Sequence, residues 1–446
     1  MRRLLLTAAG AALLLTVPAS AERDSANAFL GLARPSALAL VDANGDGKTD
    51  VVSINIRSSA SVFSGAGNGS FGKAVVTPVA GSHPDLASED FNADGVPDYA
   101  VANYEGSVSV LLGNRGGGFT AAPRVRTGVG TIGALANDFN RDGKTDVVAM
   151  SARSADVTVL LGNGNGTFLA PARYPVGGDP WEIAAGDLNG DGNLDILATT
   201  GLPDQLRVLL GTGTGSFLPP RVYTAGDLPT GIATGDFNAD GHLDVALASF
   251  GEDFLTVLLN DGNGSFRLAS NYTAIDSPDS IVAADFTGDG KLDLAAATFL
   301  LGTKVAVLQG QGDGTFGPAG VFPLGGPALD LEASDLNGDG KLDLVGALPF
   351  SGHVSVLLGR GGGAFASRAR YAAGPPVCLV FNLRRTTLKQ ARQALKAGHC
   401  RLGRVSSAYS TTIRRGRVIK QRPAAGTELP LNARVTVTIS RGPKKS

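Results

Sequence analysis

Between Ala37 and Ala373 the apolar residues fall in short alternating or continuous runs, and none keeps a helical period over a useful length. Ile183-Ala-Ala-Gly-Asp187 is a run of small and branched residues that ends on an acid. Leu194-Asp-Ile-Leu-Ala198 follows, and then Leu206-Arg-Val-Leu-Leu210, which alternates as a half-buried strand must. A glycine-rich string leading to Phe217 predicts a hairpin, because glycine takes positive φ without a steric penalty. Phe217-Leu-Pro-Pro-Arg-Val-Tyr223 predicts a fourth strand.

This four-strand unit repeats. A nine-residue string, Asp42-Ala-Asn44-Gly-Asp46-Gly47-Lys-Thr-Asp50, returns from Asp90, Asp138, Asp187, Asp236, Asp285 and Asp335, at steps of 48, 48, 49, 49, 49 and 50 residues. A second marker, Gly65-Ala-Gly-Asn-Gly69-Ser-Phe71, keeps the same beat and ends at Phe119, Phe168, Phe217, Phe266, Phe316 and Phe365 in later copies. Four strands in about 49 residues match a propeller blade, whose repeats run to about 40–50 residues. The expected fold is therefore all-β, a seven-bladed β-propeller of four-stranded blades. The small residues Ala184, Ala185 and Gly186, like Ala233, Thr234 and Gly235, place the first strand of each unit nearest the axis. An open parallel β-helix would use shorter turns and no fixed copy number. Closure stays open at this level: Phe29-Leu-Gly-Leu-Ala-Arg34 echoes Phe168-Leu-Ala-Pro-Ala-Arg173, and either completes the last blade or is a spare segment.

The nine-residue string carries the candidate chemistry. Side-chain oxygens stand at positions 1, 3, 5 and 9, a backbone carbonyl is available at 7, and a glycine at 6 makes the sharp turn; this is the spacing of the first nine positions of an EF-hand loop. The candidate ligands are Asp42, Asn44, Asp46, Lys48 and Asp50 in the first loop, and Asp90, Asn92, Asp94, Val96 and Asp98 in the second. The third has Asp138, Asn140, Asp142, Lys144 and Asp146; the fourth has Asp187, Asn189, Asp191, Asn193 and Asp195. Asp236, Asn238, Asp240, His242 and Asp244 form the fifth, and Asp285, Thr287, Asp289, Lys291 and Asp293 the sixth. The seventh is Asp335, Asn337, Asp339, Lys341 and Asp343. In each loop the seventh residue serves through its carbonyl. An all-oxygen set favours Ca²⁺ over Mg²⁺ and Mn²⁺, so up to seven structural calcium ions are expected. Asp, Asn and Gly are common in turns, yet three aspartates held together in seven copies would repel one another without a cation. Thr287, Pro97 and Arg141 predict weaker binding in loops six, two and three.

Charge divides the chain. From Pro376 onward there are sixteen Lys and Arg residues and one acid, Glu428, a net +15; between Glu22 and Pro375 there are 21 basic and 39 acidic residues, a net −18. Met1–Ala21 has two arginines, an apolar run from Leu4 to Val17 and Ala19-Ser20-Ala21, the pattern of a cleaved export signal too short to span a membrane. The mature chain is expected to be secreted, with no transmembrane segment. Its only cysteines, Cys378 and Cys400, lie in one small exported segment and are expected to pair. The domain bounds that follow are a signal peptide at 1–21, the propeller at 22–373, a Gly-Pro-Pro linker at 374–376, a small α+β domain at 377–442 and a basic tail at 443–446. In that domain Thr387-x-x-Gln390 opens a helix with a stripe of Leu388, Ala391, Ala394 and Leu395, stopped by Gly398. Strand patterns follow at Arg417–Arg422 and Ala433–Ile439, an αβββ order.

The acidic string followed by the Gly-x-Gly-x-Gly-x-Phe hairpin resembles the FG-GAP/VCBS repeats, also seen in the calcium-binding blades of integrin α-subunit propellers. The resemblance covers about residues 29–373 and implies a calcium-binding propeller, in a family that spans adhesion, carbohydrate binding and a few enzymes. Gly416-Arg-Val-Ile-Lys-Gln-Arg-Pro-Ala-Ala-Gly426 and Val435-Thr-Val-Thr-Ile-Ser-Arg-Gly442 resemble a PASTA domain. That resemblance implies a place outside a bacterial membrane, with Cys378 and Cys400 joining the first strand to the end of the helix. The partners expected are peptidoglycan or an anionic wall polymer for the tail, drawn also by its charge, and a protein or glycan for the propeller. No nucleic-acid partner is expected. A solvated spacer, or docking of the tail on its own acidic propeller, are the other readings of that tail. The four histidines are scattered and no nucleophile, metalloprotease or phosphate-binding motif occurs, so a non-enzymatic binding or adhesion module is expected. The competing class is a calcium-dependent polysaccharide-active enzyme on the same scaffold.

Overall fold

The computed structural model describes residues 3–8 and 11–16, then 35–366 apart from 56, 83, 202 and 299–301, then 369–443 apart from 374–376, 380–382, 385, 386, 398, 399, 424–427, 431 and 432. The cleavage pattern Ala19-Ser20-Ala21, the echo Phe29–Arg34, the linker 374–376, Gly398 and residues 444–446 lie outside the described residues. Among the described residues no helix is long and apolar enough to cross a membrane. The chain divides into two compact units, one of which is 35–348 with 353–373.

This larger unit consists of seven antiparallel sheets in chain order, at 37–82, 86–126, 131–175, 180–224, 229–273, 278–323 and 330–372. Each is a meander of neighbouring strands; the fourth runs Pro180–Gly186, Asp195–Gly201, Asp204–Leu209 and Arg221–Thr224. Second strands such as Asp195–Gly201 are buried along their whole length, because a neighbouring sheet covers each face. The fourth strand starts later than the sequence suggests. Pro219 and Pro220 have no N–H to give a ladder, so Phe217 instead closes the glycine hairpin in a bridge to Gly211. In the second sheet the fourth position is split into Gly118–Ala121 and Val125–Arg126, on either side of Pro123.

One kind of joint recurs between five of the neighbouring sheet pairs. The hairpin phenylalanine packs edge-on against an aromatic of the preceding sheet's fourth strand, as in Phe217 on Tyr174 (5.6 Å), Phe266 on Tyr223 (5.5 Å) and Phe316 on Tyr272 (5.4 Å). Beside it, the third hairpin glycine donates its N–H to the carbonyl of the second loop residue in the preceding sheet: Gly166 to Phe91 at 2.8 Å, Gly215 to Phe139 at 3.2 Å, Gly314 to Phe237 at 2.8 Å. The same two contacts join the first sheet to the seventh, with Phe71 on Tyr371 at 5.4 Å and the Gly69 N–H on the Leu336 carbonyl at 3.2 Å. The first strand of the seventh sheet also lies against that of the first, where the Leu38 N–H donates to Asp330 Oδ2 at 2.7 Å. Four strands of the seventh sheet lie within 330–372.

Gly69 is constrained twice. Its φ is +74°, and a Cβ there would come within 2.5 Å of Leu358 Cδ2. Gly69→Ala is expected to cost about 2–3 kcal/mol. Gly362→Ala, with φ +62° and open space around it, isolates the backbone share, about 1 kcal/mol. Denaturant melts of the two variants in saturating calcium should differ by that margin; equal melts would show that the Leu358 contact carries no weight.

The other unit contains 374–446. Its helix α1 (Leu388–Ala397) starts where the capping pattern puts it, with the Ala391 N–H bonded to the Thr387 carbonyl at 2.9 Å. Ala391 and Leu395 face a core of Leu383, Cys400, Val418, Val435 and Val437. The sheet places Arg434–Ser440 centrally, parallel to Arg401–Ala408 and antiparallel to Val418–Arg422. A separate short ladder pairs Val377–Leu379 with Glu428–Pro430. No cysteine among the described residues is free; the side chain of Cys378 lies outside them.

Candidate metal centres

All seven acidic loops join a first strand to a second and repeat one hydrogen-bonding plan. In the fourth, Asp187 takes the N–H groups of Gly190 (2.8 Å), Asp191 (3.2 Å) and Gly192 (2.8 Å). Asn189 Oδ1 accepts from the Asp191 N–H at 3.0 Å, and Asp191 Oδ1 from the Asn193 N–H at 2.8 Å. The side chains at positions 1, 3 and 5 thus turn inward around a backbone whose sixth residue has positive φ throughout, from +75° at Gly95 to +85° at Gly241. Only glycine takes that conformation freely. The bonds have an electrostatic consequence. Burial raises the Asp42, Asp285 and Asp335 carboxyls, but the N–H groups of their loops outweigh it and hold all three below the ordinary range.

The ninth aspartate does something the spacing did not announce. Asp50, Asp98, Asp146, Asp195, Asp244, Asp293 and Asp343 are wholly buried. One oxygen of each accepts the N–H of the second loop residue and the other accepts the N–H that opens the glycine hairpin. For Asp146 the two partners are Phe139 at 3.0 Å and Gly162 at 2.7 Å, and for Asp343 they are Leu336 at 3.0 Å and Gly359 at 2.6 Å. This carboxylate clamps the two sequence markers together. Burial pushes all seven up, to about 6 in Asp98, Asp146 and Asp195, and the aspartates at positions 5 and 1 add to the rise in these three.

Among the described residues no three Asp, Glu, His or Cys side chains converge as a metal-binding cluster; the loop carboxylates are engaged by backbone N–H groups instead. Asp187 Oδ2 and both Asp195 oxygens each accept one N–H and keep a further lone pair, and the donor set is oxygen alone, so the residues fit a hard divalent cation such as Ca²⁺. Positions 1, 3 and 5 with the seventh carbonyl, and a remaining lone pair of the ninth aspartate, would hold it. Lys48 and Lys144 reach Asp46 and Asp142 at 3.2 and 3.3 Å through exposed side chains, which contribute little. The loops differ where the sequence differs. Thr287 donates its hydroxyl to Asp285 at 3.2 Å where the other loops offer an amide oxygen. Arg141 takes a left-handed φ of +61°, and its guanidinium stands against Gly192 and the fourth loop. There burial raises Asp191, while the N–H of Asn193 leads the groups, Arg141 among them, that bring it below its usual value.

A second group of carboxyls escaped the sequence reading. Asp85, Glu182, Asp279, Asp330 and Glu332 sit on, or just before, first strands and are half-buried. A cavity of about 420 Å³ lies between the first strands of sheets one, two, three and seven, with Glu332 in its wall. Asp85 Oδ2 accepts the Ala134 N–H at 2.9 Å across a sheet boundary, as Asp330 does from Leu38. The available signal was an acid directly before a buried apolar run, Pro84-Asp85-Leu86 or Trp181-Glu182-Ile183. Burial, with mutual repulsion in Asp85, Glu182 and Glu332, raises them all, to about 6 in Asp330, about 7 in Asp85 and Asp279 and about 8 in Glu332. A carboxyl raised by folding binds its proton more tightly in the folded state, so its contribution to stability is present at low pH and is lost as pH rises through the folded value. With calcium saturating, the melting midpoint should fall between pH 6 and 8.5, and Glu332→Gln should remove part of that fall. An identical pH profile in the variant would refute the assignment.

Comparison with known proteins agrees with this geometry. The FG-GAP-like repeat family matches residues 90–149, 138–198, 187–247 and 236–296, and the PASTA domain family matches 380–441. No curated protein matches the chain. Among solved structures it is similar to an Agrocybe aegerita lectin that recognises non-reducing terminal N-acetylglucosamine, with 19% identity, TM-score 0.50, and coverage of 75% of this chain and 91% of that one. It is also similar to a Lactobacillus plantarum protein, with 13% identity, TM-score 0.54, and 70% and 91% coverage. A candidate 6-phosphogluconolactonase from Bacteroides uniformis gives 16% identity, TM-score 0.55, and 77% and 96% coverage. At these identities the likeness is one of fold, that of a β-propeller. The chain carries FG-GAP-like repeats in a propeller-like β unit, followed by a PASTA domain.

Proposed function

We propose that this protein is an exported, non-catalytic binding module of the bacterial cell envelope, with a closed seven-bladed propeller braced by calcium and held at the wall by its PASTA domain. The observation that carries the reading is the sevenfold repetition of one carboxylate-and-N–H loop plan in a unit of net charge −18, followed by a PASTA domain and basic tail that together carry +15. Seven divalent ions would offset most of the negative charge of the propeller and fix each first strand to its second. The joint between sheets seven and one uses the contacts of the internal joints, which supports a closed ring. The PASTA domain is a peptidoglycan-binding module by family, and supports a wall partner for this chain. Cys378 and Cys400 pair, in this reading, closing a loop worth ~3 kcal/mol to a domain with a small core. The propeller then offers its loop-rich faces to a protein or glycan.

The test is co-sedimentation of the full calcium-loaded chain with purified sacculi across a salt series. Sedimentation with sacculi supports the reading. A chain that stays in the supernatant at every salt concentration overturns it.

A further inference from the structure

The three-stranded sheet of the PASTA domain has two unlike faces. Val418, Val435 and Val437 point into the core under α1. The register sends the alternate residues to the other side: Lys420 pairs with Thr438 and Arg422 with Thr436, while Arg434 precedes Thr436 by two. Ser406 Oγ lies 2.9 Å from Thr438 Oγ1, which sets the neighbouring strand's hydroxyl on the same face. Lys420, Arg422 and Arg434 are exposed. Glu428, the sole acid after Pro376, belongs to the separate short ladder, so no carboxylate stands in this sheet.

We propose that this face binds a linear phosphodiester polymer through Lys420, Arg422 and Arg434, with the Ser406–Thr438 hydroxyl pair donating its remaining O–H to a phosphate oxygen. This rests on the cell-envelope reading above and names the chemistry of the wall partner. Residues two apart on a strand are about 7 Å apart and neighbouring strands about 5 Å apart. Such an array meets successive charges of an extended chain rather than one enclosed anion. Arginine's planar fork matches two phosphate oxygens at once, and the hydroxyl pair completes the coordination. A phosphodiester also keeps its charge over the whole working pH range, so binding depends on salt and hardly on pH.

The experiment uses the full calcium-loaded chain and poly(glycerol phosphate) of defined length, followed by anisotropy at several salt concentrations. Lys420→Gln with Arg422→Gln should weaken binding about tenfold or more and flatten its salt dependence. Lys389→Gln with Arg392→Gln removes two exposed charges from α1 and should weaken it less than about threefold. Both pairs are at the surface, so melting midpoints should stay put; Arg434→Gln alone, expected to cost about threefold or more, serves if the first pair fails to fold. Equal losses in the two double variants, hyaluronate binding as tightly as the phosphate polymer, or the propeller competing as the occupant would each overturn the proposal. A chain that sediments with sacculi stripped of anionic polymer, yet ignores poly(glycerol phosphate), overturns it and leaves the envelope reading standing.

Discussion

Chelating divalent ions from the full chain is expected to lower the melting midpoint of the propeller by about 10 °C or more, because a site held at a hundred times its dissociation constant contributes ~2.7 kcal/mol. Twenty-one loop aspartates stand behind this expectation, more than half of the 39 acids in the body. With calcium gone, their mutual repulsion is opposed by backbone N–H groups, the asparagine amides, Arg141 and a few exposed lysines. The shift should be larger at low ionic strength, where surface charges are less screened. Calorimetry with and without chelator, followed by calcium back-titration, reads it directly. Loops two, three and six should fill last, because Pro97, Arg141 and Thr287 alter them. A midpoint unmoved by chelator at low salt would remove calcium from the account of this fold.

Asp146→Ala should cost about 3–5 kcal/mol, since it strips the acceptor from two buried N–H groups, those of Phe139 and Gly162. The informative comparison is between calcium and chelator. If the ninth aspartate is chiefly a clamp between loop and hairpin, the penalty persists after the metal is removed. If it serves only as a ligand, chelator brings variant and parent to the same midpoint. Asp146→Asn should fall between the two, because an amide keeps one acceptor but turns its NH₂ toward a donor. Denaturant unfolding of the three proteins in both conditions gives the answer.

Much of the architecture was legible along the chain because it is written seven times. A spacing of 48 to 50 residues, two markers in phase, and strands that alternate or run wholly apolar are local properties, so they survive without tertiary information. The same holds for the glycine at the sixth loop position, which the turn requires, and for Thr387 at the start of α1. What misled was also local. The sequence extends the fourth strand back to Phe217, yet two prolines with no N–H leave 218–220 out of the ladder. The ninth aspartate reads as one more oxygen ligand; its partners are Phe139, seven residues upstream, and Gly162, sixteen downstream, and only folding brings those N–H groups to it. The third glycine of the hairpin likewise reads as turn chemistry, and acquires its second role when the preceding sheet's leucine arrives within van der Waals range.

Repetition, turn chemistry and charge segregation are therefore properties of the chain itself: they established the number of units, the oxygen-bearing loops and the change of composition at Gly374. Contacts between distant residues belong to the tertiary structure. It decided that the seventh sheet meets the first through Phe71, Tyr371 and Gly69, that five carboxyls are half-buried on or just before first strands, and that Lys420, Arg422 and Arg434 share one face. The physical reason is that periodicity is encoded in neighbours along the backbone, whereas burial and register depend on which surfaces meet once the chain has closed on itself.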